Sequence, residues 1–136
     1  MSLSDRRIVL GATLMRVAAA SVFVAHGVAR AAHGTVGNFG SFLESWGFPA
    51  GAGVAWAITL VEMAGGLVLA AGVAVVPLCV WFAVQIAAGI TMVHAQHGWF
   101  VVGHGRNGAE YSALIIATLA AVALTNPVAS RLIGAR

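Results

Sequence analysis

The chain has 136 residues, of which 60% are hydrophobic and only 8% are charged, and its mean hydropathy is +0.95. A water-soluble domain of this size carries about a quarter charged residues, so the composition excludes a soluble globular protein. Its apolar runs are long enough to cross a bilayer, which takes about 20 helical residues. The sequence therefore predicts an all-α integral membrane protein, a multi-pass four-helix bundle in contact with the lipid bilayer.

The basic residues are all arginine, and the formal net charge is +3. They are scattered and mostly flank hydrophobic runs, a pattern that membrane topology explains better than nucleic-acid binding. The single cysteine, Cys79, lies within an apolar run. It excludes an internal disulfide or a multi-cysteine metal site, and we expect it to be a small buried packing residue.

The first of four predicted spans covers about residues 8–29 and carries Arg16 and His26. A glycine-rich loop is expected next, over residues 34–52. It contains several aromatic residues, which is typical of a segment that lies in the membrane interface.

The apolar stretch over residues 53–94 is too long for a single crossing. Gly72 and Pro77 mark the break, because glycine favours a tight turn and proline favours a new helix start. The second and third spans are therefore placed at about residues 53–72 and 76–95.

A second glycine-rich loop follows at residues 97–108, and the fourth span covers about residues 109–124. The Asn126-Pro127 pair is expected to end this helix. We treat residues 1–136 as one transmembrane domain.

The distribution of the arginines predicts how the spans are oriented in the membrane. Four spans place both ends of the chain on one side of the membrane, and the positive-inside rule favours the cytoplasm for that side. The arginines near the two ends are Arg6, Arg7, Arg131 and Arg136. The opposite side has Arg30 and Arg106, offset by Glu44 and Glu110.

Glu62 lies near the middle of the second span, and Gly65 and Gly66 follow one turn later. A carboxylate at this depth is costly without a partner, and paired glycines let another helix approach closely. Arg16 lies at a similar depth in the first span, so we predict a structural Arg16–Glu62 ion pair. Glu62 is also a candidate for handling a proton or a quinone oxygen.

A second group of polar residues is predicted nearer the outer leaflet: His26, His94, Glu110 and Tyr111. One interpretation is that each satisfies a loop or reaches the headgroups. Another is a ligand pocket, shared with Glu62, for a quinone. A third is a non-covalent b-type haem held between His26 and His94.

The histidines are also candidate metal ligands. His94 and His97 have the i, i+3 spacing that can place two imidazoles on one helix face, and His26 and His104 are further candidates. A metal site needs three or four ligands, and the third span is expected to end before His97. No metal site is expected.

Four motifs, in the order in which they occur, are similar to those of the DoxX family. They are the segment LMRVAAASVFVAHGVAR with Arg16, His26-Gly27 and Arg30, the turn Gly47-Phe48-Pro49, the Glu-x-x-Gly-Gly of Glu62, Gly65 and Gly66, and Asn107-Gly108-Ala109-Glu110-Tyr111. The tail departs from the family, since Asn126-Pro127 replaces the ending rich in glycine that many members have.

The resemblance implies a four-helix protein of the bacterial inner membrane with a link to quinone-dependent redox systems. We therefore expect a membrane subunit that binds quinone or quinol, or that anchors a partner oxidoreductase. A non-catalytic scaffold is the alternative, and a transporter is a weaker one that would need a homo-oligomer. Whether the chain is itself catalytic, and through which residues, the sequence leaves open.

Overall fold

The computed structural model describes residues 2–134, and all regular structure in that part of the chain is helical. Four helices are long and apolar enough to cross a membrane, which confirms the predicted fold class. A shorter helix and a 3-10 turn complete the described part of the chain. The elements are α1 (Leu3–Ala32), α2 (Val36–Ser45), α3 (Gly51–Ala70), α4 (Val75–Met92), the 3-10 turn His94–His97 and α5 (Glu110–Gly134).

Glycine ends three of the helices. After α3, Gly72 has a φ of +82°, and its N–H donates to the carbonyl of Leu69 over 2.9 Å while the N–H of Val73 donates to Val68 over 3.1 Å. This pair of bonds is the Schellman motif, which needs a left-handed residue. The same pair follows α1 and α2, at Gly34 and Gly47. The predicted break at Gly72 is therefore confirmed.

Helix α2 corrects the loop predicted over residues 34–52. Its buried residues, Val36, Gly40 and Leu43, follow the i, i+4, i+7 spacing of one helix face, and α2 packs on α3. The glycines suggested a loop, but a Cβ on Gly40 would lie only 2.8 Å from the backbone of Ala52. Glycine here permits close packing of two helices and does not interrupt the helix.

Pro127 does not end the last helix, so the boundary predicted at residue 124 is wrong. Proline removes from the ladder the N–H that would donate to the carbonyl of Ala123, four residues earlier, and membrane helices tolerate such a loss. The hydroxyl of Thr125 donates to the carbonyl of Ala121 over 2.8 Å and approaches that of Val122 at 3.3 Å. One turn later, Arg131 Nε donates to the Pro127 carbonyl over 3.1 Å.

The described chain forms two compact units. The α2–α3 unit comprises Ala20–Val73, and the α4–α5 unit comprises residues 2–19 and 74–134. In the second unit α4 packs on α5, and Cys79 is buried as predicted. The predicted orientation of the chain ends stays a prediction, and Arg136, one of its four arginines, lies outside the described residues.

Candidate functional site

Helices α1 and α3 approach each other closely within the α2–α3 unit. A Cβ on Gly27 of α1 would lie 2.9 Å from the carbonyl oxygen of Thr59, and a Cβ on Gly66 of α3 would lie 2.6 Å from a methyl carbon of Val24. Such distances are too short for a real Cβ contact, so both positions require glycine or a shift of the neighbouring atoms. For Gly66, the prediction of a close helix approach is confirmed.

Arg30 forms an ion pair with Glu62 in this contact. Its Nη1 lies 2.6 Å from Glu62 Oε2, and the two side chains are 17% and 4% exposed. Arg30 belongs to the last turn of α1, whereas Glu62 is in the middle of α3. Side chains on a helix lean toward its N-terminus, and this direction carries the guanidinium from the end of α1 toward Glu62.

Arg30 also contacts two uncharged residues. Nη1 donates to Thr59 Oγ1 over 3.0 Å, and the Thr59 hydroxyl in turn donates to the carbonyl of Ala55 over 2.7 Å. The carbon centre of the guanidinium lies 4.4 Å from the centroid of the Phe39 ring, a cation–π distance. Phe39 belongs to α2, so side chains of α1, α2 and α3 meet at the Arg30 guanidinium. We call Arg30, Phe39, Thr59 and Glu62 the Arg30 cluster.

The Arg30 cluster retains unused hydrogen-bond donors. An arginine has five N–H donors, and Nη1 carries two of them, which bond Thr59 and Glu62. Within residues 2–134, Nε and Nη2 have no protein acceptor. The guanidinium therefore has donors for an acceptor that the described protein does not supply.

Sequence reasoning found Glu62 but missed Arg30 as its partner. The sequence pattern assigns Arg30 to the membrane edge because it lies at the end of an apolar run. The missed signal is the length of the side chain combined with its direction on the helix. The Arg16–Glu62 pair stays a prediction, since the two residues belong to different units.

His26 lies one helical turn before Arg30 and is exposed. Its Nδ1 is 2.8 Å from the carbonyl oxygen of Val22 on the same helix. A carbonyl only accepts, so Nδ1 carries the hydrogen and the neutral ring has its lone pair on Nε2. This nitrogen is able to accept a hydrogen bond or bind a metal.

The α4–α5 unit holds the other predicted site residues. His94 Nδ1 donates to the carbonyl of Asn107 over 2.9 Å, and Glu110 Oε1 accepts from the N–H of Val101 over 2.9 Å. Both side chains therefore hold the loop between α4 and α5. Tyr111 is 57% exposed. A pocket that joins these residues with His26 and Glu62 stays a prediction.

The described residues contain no group of three or more His, Cys, Asp and Glu side chains arranged to hold a metal. His97 Nδ1 donates to the carbonyl of Val93 over 2.9 Å. His104 lies edge-on to Phe100, with 5.5 Å between the ring centroids.

The sequence model of the DoxX family matches residues 11–95. The matched part contains the whole Arg30 cluster and ends before the loop that leads to α5. No curated protein and no solved structure matches the chain.

Proposed function

This chain belongs to the DoxX family of membrane proteins, and we propose that it is a membrane subunit of a bacterial redox system that binds a quinone or quinol headgroup at the Arg30 cluster. The inner membrane is the proposed location, with the site toward the outer leaflet. The observation that carries the proposal is the part-buried Arg30–Glu62 pair with unused guanidinium donors.

The donor set fits a quinone. Quinone carbonyl oxygens accept hydrogen bonds, and Nε and Nη2 of Arg30 are donors with no protein acceptor among residues 2–134. His26, one turn away on α1, has an Nε2 lone pair that accepts from a quinol hydroxyl. Helix α1 therefore offers the Arg30 donors to the carbonyl oxygens of the quinone and the His26 acceptor to a hydroxyl of the quinol.

The Arg30 cluster also has the environment that such a ligand needs. Glu62 neutralises Arg30, so a neutral ring enters without having to compensate a buried charge. The Arg30 side chain is 17% exposed, so it is not sealed from its surroundings. Quinones have polyprenyl tails, which remain in lipid while the headgroup binds.

Titration of a short-chain quinone into the full-length protein in nanodiscs tests the proposal. Arg30→Lys keeps the charge but loses the planar set of donors. Hydrogen bonds to charged groups are worth about 1.5–3 kcal/mol, so we expect affinity to fall roughly 10–100-fold. Arg106→Lys, which lies outside the cluster, is the matched control and should bind like the wild type.

Cross-linking with a photoreactive azidoquinone locates the site independently. We expect labelled peptides from the last turns of α1 and from α3 around Thr59. Labelling confined to other segments would overturn the assignment. A folded wild-type protein that takes up no quinone would leave anchoring of a partner oxidoreductase, or a scaffold role, as the function.

A b-type haem held by His26 and His94 is the second candidate. The two histidines belong to different units, and the support is the hydrogen bond that each makes within its own unit. Both donate Nδ1–H to a backbone carbonyl, the arrangement that orients histidines whose Nε2 binds a metal. An absorption spectrum of the purified protein tests it. A Soret band that is present in the wild type and lost in each of the variants His26→Ala and His94→Ala would support haem binding by these two histidines.

A further inference from the structure

The connection between α4 and α5 exposes large apolar side chains. Trp99, Phe100 and Val102 are 56%, 43% and 70% exposed. We call residues 98–109 the aromatic loop. A monomeric soluble surface rarely shows such a group of neighbouring apolar side chains without a partner.

The backbone of the aromatic loop is held in place by hydrogen bonds. The N–H of Gly108 donates to the carbonyl of Phe100 over 3.1 Å, and the N–H of Glu110 donates to the carbonyl of Trp99 over 3.0 Å. Gly108 is buried against the backbone of Trp99 and Phe100, which leaves no room for a side chain. The aromatic side chains are thus exposed on a fixed backbone.

These bonds also tie the aromatic loop to the start of α5. Trp99 is one hydrogen bond from Glu110, the first residue of α5, and α5 is a candidate span. A residue held at the end of a spanning helix lies near the boundary between hydrocarbon and water. Trp is enriched at this level because its ring is apolar and its N–H is polar.

Arg106 is the exposed charged side chain of the aromatic loop. The nearby carboxylate of Glu110, by contrast, is partly buried and accepts from the Val101 N–H. An exposed arginine at the membrane surface attracts anionic lipids. The positive charge of Arg106 therefore favours an anionic lipid headgroup as the partner of the aromatic loop.

We propose that the aromatic loop is a rigid membrane-interface anchor: Trp99, Phe100 and Val102 insert between lipid headgroups, and Arg106 pairs with the phosphate of an anionic phospholipid. The inference does not depend on quinone binding.

Depth-dependent fluorescence quenching tests the insertion. A variant with Trp46, Trp56 and Trp81 replaced by Phe keeps Trp99 as the sole tryptophan. It is reconstituted in vesicles whose lipids are brominated near the headgroup end or near the terminal methyl of the acyl chain. Bromine near the headgroup end should quench Trp99 more strongly. A variant that keeps only Trp81, an exposed residue within α4, should show the reverse order.

Two results would overturn the proposal. Quenching of Trp99 by aqueous iodide with no effect of brominated lipid would place the loop in water. Protection from both quenchers would place it against protein, whether a second copy or another partner. Circular dichroism of each variant confirms that the helices are intact.

Lipid competition tests the role of Arg106. The protein is reconstituted in phosphatidylcholine mixed with phosphatidylglycerol, and the preference for the anionic lipid is measured with spin-labelled analogues. Because one basic residue near an anionic surface is worth about 1 kcal/mol, Arg106→Gln should lower the preference about fivefold, while Arg106→Lys should keep it. An unchanged preference in Arg106→Gln would contradict the pairing.

Discussion

One nitrogen of Arg30 serves two acceptors. Nη1 bonds the carboxylate of Glu62 and the hydroxyl of Thr59, and the Phe39 ring covers the guanidinium. Arginine suits this position because it stays charged and presents several donors in a plane. A lysine has a single nitrogen and would not bond Glu62 and a ligand through separate atoms.

Removal of Arg30 should destabilise the protein more than removal of the ion pair as a whole. Arg30→Gln removes the Arg30 guanidinium from the buried Glu62 carboxylate and should lower the free energy of unfolding by up to about 3–5 kcal/mol. The double variant Arg30→Gln/Glu62→Gln removes both charges and should recover part of that loss. Unfolding of each protein in mixed micelles measures the difference. Equal stability of the single and double variants would contradict a coupled pair.

Loss of the Thr59 hydroxyl should lower the free energy of unfolding less than loss of the Arg30 guanidinium does. Hydrogen bonds between side chains in membrane proteins average about 0.6 kcal/mol, so Thr59→Val should cost about that amount in the same unfolding experiment. A loss as large as that of Arg30→Gln would mean that Thr59 has a larger part in holding the guanidinium than its single bond indicates.

The need for a partner at Glu62 was predictable from the sequence, but the ion pair with Arg30 was not. An acid within an apolar span needs compensation whatever the fold, because the cost depends on the bilayer. The choice of partner depends on which helix ends are adjacent and on where a long side chain turns. Arg30 resembles an ordinary arginine at a membrane edge until α1 and α3 are placed side by side.

At the scale of the helix, the contact between α1 and α3 depends on Gly27. Gly27→Ala would bring a methyl group against the carbonyl oxygen of Thr59, which belongs to the backbone and cannot rotate away. Overpacking of this kind costs about 1–3 kcal/mol. Gly11→Ala on the same helix meets no atom within 4 Å and is the control. Thermal unfolding should show a loss for Gly27→Ala alone.

Helix α2 caps α3 through Glu44. Its Oε1 accepts the N–H of Gly51 over 3.0 Å, and the residue that precedes α3, Ala50, has no polar side chain to do so. Loss of a cap costs about 0.5–2 kcal/mol. Glu44→Ala should therefore lower the melting temperature, whereas Glu44→Gln keeps an acceptor oxygen and should lower it less. Equal effects would show that the charge matters more than the hydrogen bond.

Helix boundaries were predictable where the backbone alone decides them. Gly72 ends α3 because a left-handed residue is required there. The boundary predicted at Pro127 was wrong because proline removes only one N–H from the ladder, and the helix continues through it to Gly134. The helical character of α2 was hidden because its buried face contains a glycine, which signals a loop unless the neighbouring helix is known.

At the scale of the whole molecule, the orientation of the spans follows from the number of crossings. Four spans should leave both chain ends on the cytoplasmic side, as the arginines predict. The variants Ser4→Cys and His104→Cys, each in a Cys79→Ser background, can be labelled with an impermeant maleimide in spheroplasts. The cysteine at position 104 should react from outside, and the cysteine at position 4 only after lysis. The opposite pattern would invert the topology.

The family match ends at residue 95, before the aromatic loop and α5. Gly108 and Glu110 of the fourth motif lie beyond the matched residues. Gly108 permits a close approach of the backbone, and the Glu110 carboxylate accepts the Val101 N–H. A role of Glu110 in ligand binding would have to coexist with this bond.

The Arg30–Glu62 pair also bears on how the chain enters the membrane during synthesis. Arg30 precedes Glu62 by 32 residues, so the guanidinium leaves the ribosome before the carboxylate does. A charged residue at the centre of an inserting helix costs about 2.5–3.5 kcal/mol. If α3 enters the lipid beside α1, its acid meets a base that is already present there. The two helices then favour joint release from the translocon as a hairpin, with α2 as the connection between them.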